Sequence, residues 1–122
     1  MPQFLGADVS TEVMEWSTAH ADIQWSNLAG PELCILDWER WGLAPAGYDE
    51  ATLYISSLTS PAVADRVFHE FKPMLESTAG HFAQLVVASE YLRAWSAETT
   101  WSSKHPCESR LPVCSADRCP FA

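Results

Sequence analysis

His20-Ala21-Asp22-Ile23-Gln24-Trp25-Ser26-Asn27, followed after a Gly30-Pro31 turn by Leu33-Cys34-Ile35-Leu36-Asp37, is the stretch whose reading decides the fold. The polar run from Asp22 to Asn27 reads as a loop, and Leu33 to Leu36 is an apolar run of strand length that ends on a carboxylate. Ahead of it, Trp16 to Ala19 is a short, mixed segment of extended type that delivers His20. The order is strand, loop, turn, strand, with polar groups at the strand ends.

Outward from this stretch the periodicity changes. Upstream, Ser10 to Trp16 predicts a turn or two of helix with Val13 and Trp16 on one side. Downstream, Trp38 to Pro45 has neither period and contains Gly42 and Pro45, which predicts a structured loop. Asp49 to Leu58 is helical in pattern, with Ala51, Leu53, Tyr54 and Leu58 on one face and two carboxylates at its electropositive start. Thr59-Ser60-Pro61 is a cap followed by a first-turn proline, and it opens a second helix from Ala62 to Lys72 that Pro73 stops. Ser77 or Thr78 caps a third, longer helix from Ala79 to Ala97, whose Leu85-Val86-Val87-Ala88 run predicts burial on more than one side. From Ser102 the period dissolves, and residues 102–122 are expected to be a disordered tail.

The composition bounds the partners. The 122 residues fit one small domain, and 48% hydrophobic residues with six tryptophans are enough for a core. Seven Lys and Arg against sixteen Asp and Glu give a net charge of -9, which repels nucleic-acid phosphate and anionic membranes and attracts cations. The first residues lack a basic start and an apolar core of the secretory type, and no apolar run reaches the roughly 18 residues of a membrane span. The expectation is a cytoplasmic protein with reduced thiols, Cys34 in a buried strand, and no nucleic-acid or membrane partner. Cys107, Cys114 and Cys119 fit no zinc spacing. Trp25, Trp38 and Trp41, flanking the polar loops, are expected to be core contacts.

The residue types in the opening stretch suit phosphoryl transfer. That reaction needs a group to orient the attacking hydroxyl, and oxygen ligands to fix Mg2+ against the phosphates. Asp22 fits the first task, and Asn27 and Asp37 the second. One tight loop brings Asp22 and Asn27, five residues apart, to the same cleft wall. His20 is better suited to bracing the loop than to moving protons.

The pattern His20-x-Asp22-x4-Asn27, with an apolar strand ending in Asp37, resembles the catalytic and metal-binding loops of protein-kinase-like folds. Asp37-Trp38-Glu39 and the following Trp41-Gly42-Leu43-Ala44-Pro45-Ala46-Gly47-Tyr48-Asp49 look like the aminoglycoside phosphotransferase family. The resemblance spans Ser17 to Trp95. It implies an α+β, mostly α, kinase-like C-terminal lobe over residues 1–101, with a small strand pair around the catalytic loop. It also implies ATP as phosphoryl donor, Mg2+ held by Asn27 and Asp37, a hydroxyl of a small cationic molecule as acceptor, and catalytic roles for Asp22 and His20. Asp49 would begin a helix and support the catalytic loop through backbone hydrogen bonds. Glu50, Glu70, Glu76 and Glu90 are candidates for a carboxylate-lined substrate pocket.

Two departures from the family stand out. Ala21 replaces its usual glycine, a change expected to need only ordinary backbone angles. No lysine precedes Lys72, so the nucleotide-covering lobe and its phosphate-gripping lysine are expected to be missing. The isolated lobe is then expected to be inert, or to be a non-catalytic interaction remnant that self-associates through the missing-lobe surface.

Overall fold

The computed structural model describes Glu12 and residues 15–104, with side chains as far as Ala97. The helical turn expected over Ser10 to Trp16 lies largely outside the described residues, as do Cys107, Cys114, Cys119 and the tail beyond Lys104. The chain divides into two compact units, Met1–Leu92 and Arg93–Ala122. The core, both sheets and the His20–Asp37 region belong to the first.

The fold is α+β and mostly helical. Strands β1 (Trp16–Ala19), β2 (Leu28–Ala29), β3 (Cys34–Ile35) and β4 (Gly42–Pro45) are followed by helices α1 (Tyr48–Ser56), α2 (Pro61–Glu70), α3 (Lys72–Leu75) and α4 (Thr78–Lys104). The strands form two antiparallel pairs, β1 with β4 and β2 with β3. In the first, Trp16 lies opposite Pro45, Ser17 opposite Ala44, Thr18 opposite Leu43, and Ala19 opposite Gly42. The Ala46 amide donates to the Glu15 carbonyl at 3.0 Å, which carries the pairing one step further. Pairing with β1 turns 42–45, expected to be loop, into strand, and Pro45 sits at its end, where a missing N–H is tolerated.

The β2–β3 pair is short, with Leu28 opposite Ile35 and Ala29 opposite Cys34. Only two residues of the apolar Leu33–Leu36 run are strand, and Cys34 is exposed rather than buried. The hairpin is a two-stranded ribbon, so apolar content alone does not bury Cys34.

Side-chain period fixes the core. Along β1 and β4, Ala19 and Ala44 turn inward and join Tyr48 and Ala51 of α1, Leu75 of α3, and Ala83, Val86 and Val87 of α4. Three of these are alanines on or beside the strands and α1, which lets helix and ribbon approach closely. Leu75, fully buried, is the largest aliphatic side chain at the centre. Of the run on α4, Val86 and Val87 are buried, whereas Leu85 is 38% exposed.

The helix ends follow local chemistry. Pro61 occupies the first turn of α2 after Ser60, although the Ser60 hydroxyl makes no capping bond. Helix α2 ends at Glu70, short of the expected Lys72, and Pro73, expected to stop it, lies instead in the first turn of α3. Ser77 caps α4, its hydroxyl accepting from the Gly80 amide at 3.0 Å. Helix α4 continues past the expected end at Ala97 to Lys104, so Ser102 to Lys104, assigned to the tail by composition, are helical. Close approach explains one glycine: a Cβ at Gly80 would stand 1.9 Å from the Met74 carbonyl oxygen.

Candidate active site

The loop after β1 is held by α1. Both oxygens of Asp49, in the first turn of α1, accept backbone amides: His20 N at 2.8 Å and Ala21 N at 2.9 Å. A carboxylate accepting two N–H groups is a strong local clamp. It fixes the direction in which the chain leaves β1, and so where Asp22 begins. Ala21 is left-handed here, with φ 66°. The ordinary backbone angles expected for it are therefore corrected: the clamp demands a conformation that glycine adopts freely and alanine adopts at a cost.

His20 is 3% exposed. Its Nε2 lies 2.9 Å from the Leu36 carbonyl oxygen, and a carbonyl only accepts, so Nε2 carries the proton and donates. The imidazole thus ties the Asp22 loop to the residue preceding Asp37. Its ring meets that of Trp38 edge-on, with centroids 4.6 Å apart. The buried Nδ1 has no hydrogen-bond partner among the described residues.

Asp22 and Asn27 come together. The Asn27 side-chain amide donates at 2.9 Å to both the backbone oxygen and Oδ2 of Asp22, across a loop that closes through a 3-10 turn at Trp25–Asn27. Gln24 Nε2 donates to Asp22 Oδ1 at 3.3 Å. The Leu36 amide donates to the Asn27 backbone oxygen at 2.8 Å, which brings Asn27 alongside the residue preceding Asp37. Asp37 is exposed and left-handed, φ 59°, at the start of a 3-10 turn over Trp38–Arg40.

The oxygen donors suit a hard cation. With its nitrogen engaged by Asp22, Asn27 keeps its amide oxygen, and the Asp37 carboxylate has no hydrogen bond or ion pair among the described residues. Mg2+ is commonly held by one or two protein oxygens with waters and phosphates completing its shell. The described residues contain no group of three or more His, Cys, Asp and Glu of the kind that cages a metal by itself.

Two tyrosines given no role in the sequence have raised phenol pKa values. Tyr48 donates to Glu90 Oε2 at 2.5 Å. Burial foremost, then the Glu90 hydrogen bond and charge, push its phenol well above the ordinary tyrosine value; Arg40 opposes this and Asp22 adds to it. Burial, and secondarily the Asp22 charge, also raise Tyr91. The Tyr48–Glu90 bond joins α1 to α4 across 42 residues, a link that no local spacing encodes. Of the other candidate pocket carboxylates, Glu76 pairs with Lys72 at 3.8 Å on the surface. Glu70 is exposed, and Glu50 is half-buried on α1.

The tryptophans expected in the core are about half exposed or more: Trp25, Trp38 and Trp41. The polar edges of two of them are nonetheless used. Trp25 Nε1 donates to Ser57 Oγ at 2.8 Å, and Trp38 Nε1 to the Ile35 carbonyl at 2.9 Å. All three rings lie at the surface because the loops they flank are covered by no further layer among the described residues. No family model, no curated protein and no solved structure matches this chain.

Proposed function

We propose that this chain is the C-terminal lobe of an ATP-dependent phosphotransferase of the aminoglycoside phosphotransferase type, with a hydroxyl of a small cationic molecule as acceptor. The observation that carries this reading is the linkage of four separately spaced polar residues. Asp49 grips the amides of His20 and Ala21, and His20 holds the Leu36 carbonyl beside Asp37. Asn27, bonded to Asp22, completes the set. A surface loop of chance polarity has no need of such mutual support.

On this reading Asp22 orients the acceptor hydroxyl and takes its proton as the phosphoryl group is transferred. Asn27 and Asp37 hold Mg2+, which when bound neutralises charge on the phosphate oxygens. His20 keeps the two loops in register. The acceptor's positive charge is favoured by the net charge of -9. ATP is the donor on this reading; among residues with described side chains the one lysine, Lys72, pairs with Glu76.

Paramagnetic Mn2+ in place of Mg2+ tests the ligand assignment without requiring turnover. Backbone signals of Asn27 and Asp37 should broaden first, and Asp37→Asn should weaken the effect while preserving the left-handed backbone, which asparagine tolerates. Broadening centred on Glu32 or Glu39 instead would remove the assignment. Where phosphoryl transfer is measured, Asp22→Ala should lower its rate by about 10^2 to 10^4.

A second reading, a non-catalytic interaction module, is favoured by one observation. Trp16 and Leu43, on the face of the β1–β4 ribbon opposite Ala19 and Ala44, are 58% and 74% exposed, and Trp41 is 64% exposed. Such a face suits pairing with itself or with another chain.

A further inference from the structure

A groove of about 430 Å3 lies between α1 and α2, lined by Tyr54, Leu58, Pro61, Ala64, Asp65 and Phe68. It shares no lining residue with the His20–Asp37 region. Its volume is in the range of small-molecule sites, and its chemistry is of two kinds. Tyr54 and Phe68 form a tilted aromatic pair, with centroids 5.4 Å apart and rings inclined at 52°. Both are partly buried and packed against the core, so the rings are anchored. Asp65 supplies a carboxylate three residues before Phe68, on the same side of α2. It is exposed and forms no ion pair among the described residues, although Arg66 and His69 share its helix.

We propose that this groove binds a small organic cation, an ammonium group carried on an aromatic or alkyl frame. The frame occupies the apolar floor formed by Leu58, Pro61 and Ala64. The ammonium group lies between the Asp65 carboxylate and the faces of the Tyr54 and Phe68 rings, whose quadrupoles attract a cation. An anion is disfavoured by Asp65 and by the net charge of -9. A neutral ligand of the same shape gains the apolar contact and forgoes the rest. The inference does not rest on the phosphotransferase reading, and its test uses no turnover.

The test is titration of the full 122-residue chain, followed by amide NMR, with 3-phenylpropylammonium and with neutral 3-phenylpropanol. The ammonium compound should shift the amides of Tyr54, Ala64, Asp65 and Phe68 saturably. It should bind about fivefold more tightly than the alcohol, the effect of one partly solvated charge pair. Asp65→Asn, an exposed and nearly isosteric change, should weaken ammonium binding and narrow its advantage over the alcohol to what the Tyr54 and Phe68 ring faces contribute. Added salt should weaken the ammonium alone. Equal affinity for the two compounds, unaltered ammonium binding by Asp65→Asn, shifts confined to other residues, or no saturable shift would each overturn the proposal.

Discussion

Ala21 and Asp37 are the two non-glycine residues with positive φ among the described residues, at 66° and 59°, and they flank the candidate site at its two ends. For Asp37 the conformation is cheap, because a short polar side chain tolerates the left-handed region. For Ala21 it costs about 1–2 kcal/mol, and the two hydrogen bonds to Asp49 sustain it. Replacing Ala21 by glycine should relieve that cost, offset in part by about 0.5–1 kcal/mol of extra chain entropy and by the loss of a methyl group packed on the core. The expected outcome is a net gain of about 0.5 kcal/mol, read as a higher urea midpoint at unchanged slope. A loss of stability would mean that the methyl contact outweighs the backbone. The pairing of Asp22 with Asn27 was legible in the sequence because spacing reports which polar groups one loop can present. The left-handed turn at Ala21 was not, since alanine carries no signal for it. Nor was the Tyr48–Glu90 bond, which joins residues 42 apart.

At the scale of elements, helices were the readable part. Apolar spacing located α1, α2 and the first half of α4, and Ser60-Pro61 and Ser77 marked two starts, because caps and helical period are local properties. Strand β4 was missed because its reason for being extended is β1, more than twenty residues earlier, and because Gly42 and Pro45 argue against a strand when read alone. The surface position of Trp25, Trp38 and Trp41 was missed for a related cause: aromatic content predicts burial only where another layer exists to bury it. The contact between α3 and the start of α4 gives a sharp prediction. Gly80→Ala would drive a methyl group to 1.9 Å from the Met74 carbonyl oxygen and 2.8 Å from its carbon, atoms of backbone that cannot rotate away. Thermal unfolding should show a loss of about 3 kcal/mol, at the upper end of overpacking costs. A loss below about 1 kcal/mol would show that the start of α4 moves freely against α3.

For the molecule as a whole, two surface properties oppose one another. The outward face of the β1–β4 ribbon, carrying Trp16 and Leu43, offers an apolar patch of a few hundred Å2, less than the roughly 800 Å2 per partner of a standard interface. The net charge of -9 on each chain repels a second copy at a range of about 10 Å in 0.1 M salt and about 3 Å in 1 M. At low salt the repulsion should win and the chain should sediment as a monomer. Screening removes the repulsion and leaves the apolar attraction intact, so association should rise with salt, the reverse of a charge-driven complex. Leu43→Glu places a carboxylate in the middle of the patch and adds one more negative charge per chain; it should abolish the salt-promoted dimer while leaving the fold unchanged, because Leu43 is 74% exposed. Sedimentation equilibrium of both proteins across a salt series checks this. A wild-type chain that stays monomeric at about 1 M salt would rule out self-association through this face and leave a different chain as the partner that the exposed tryptophans fit.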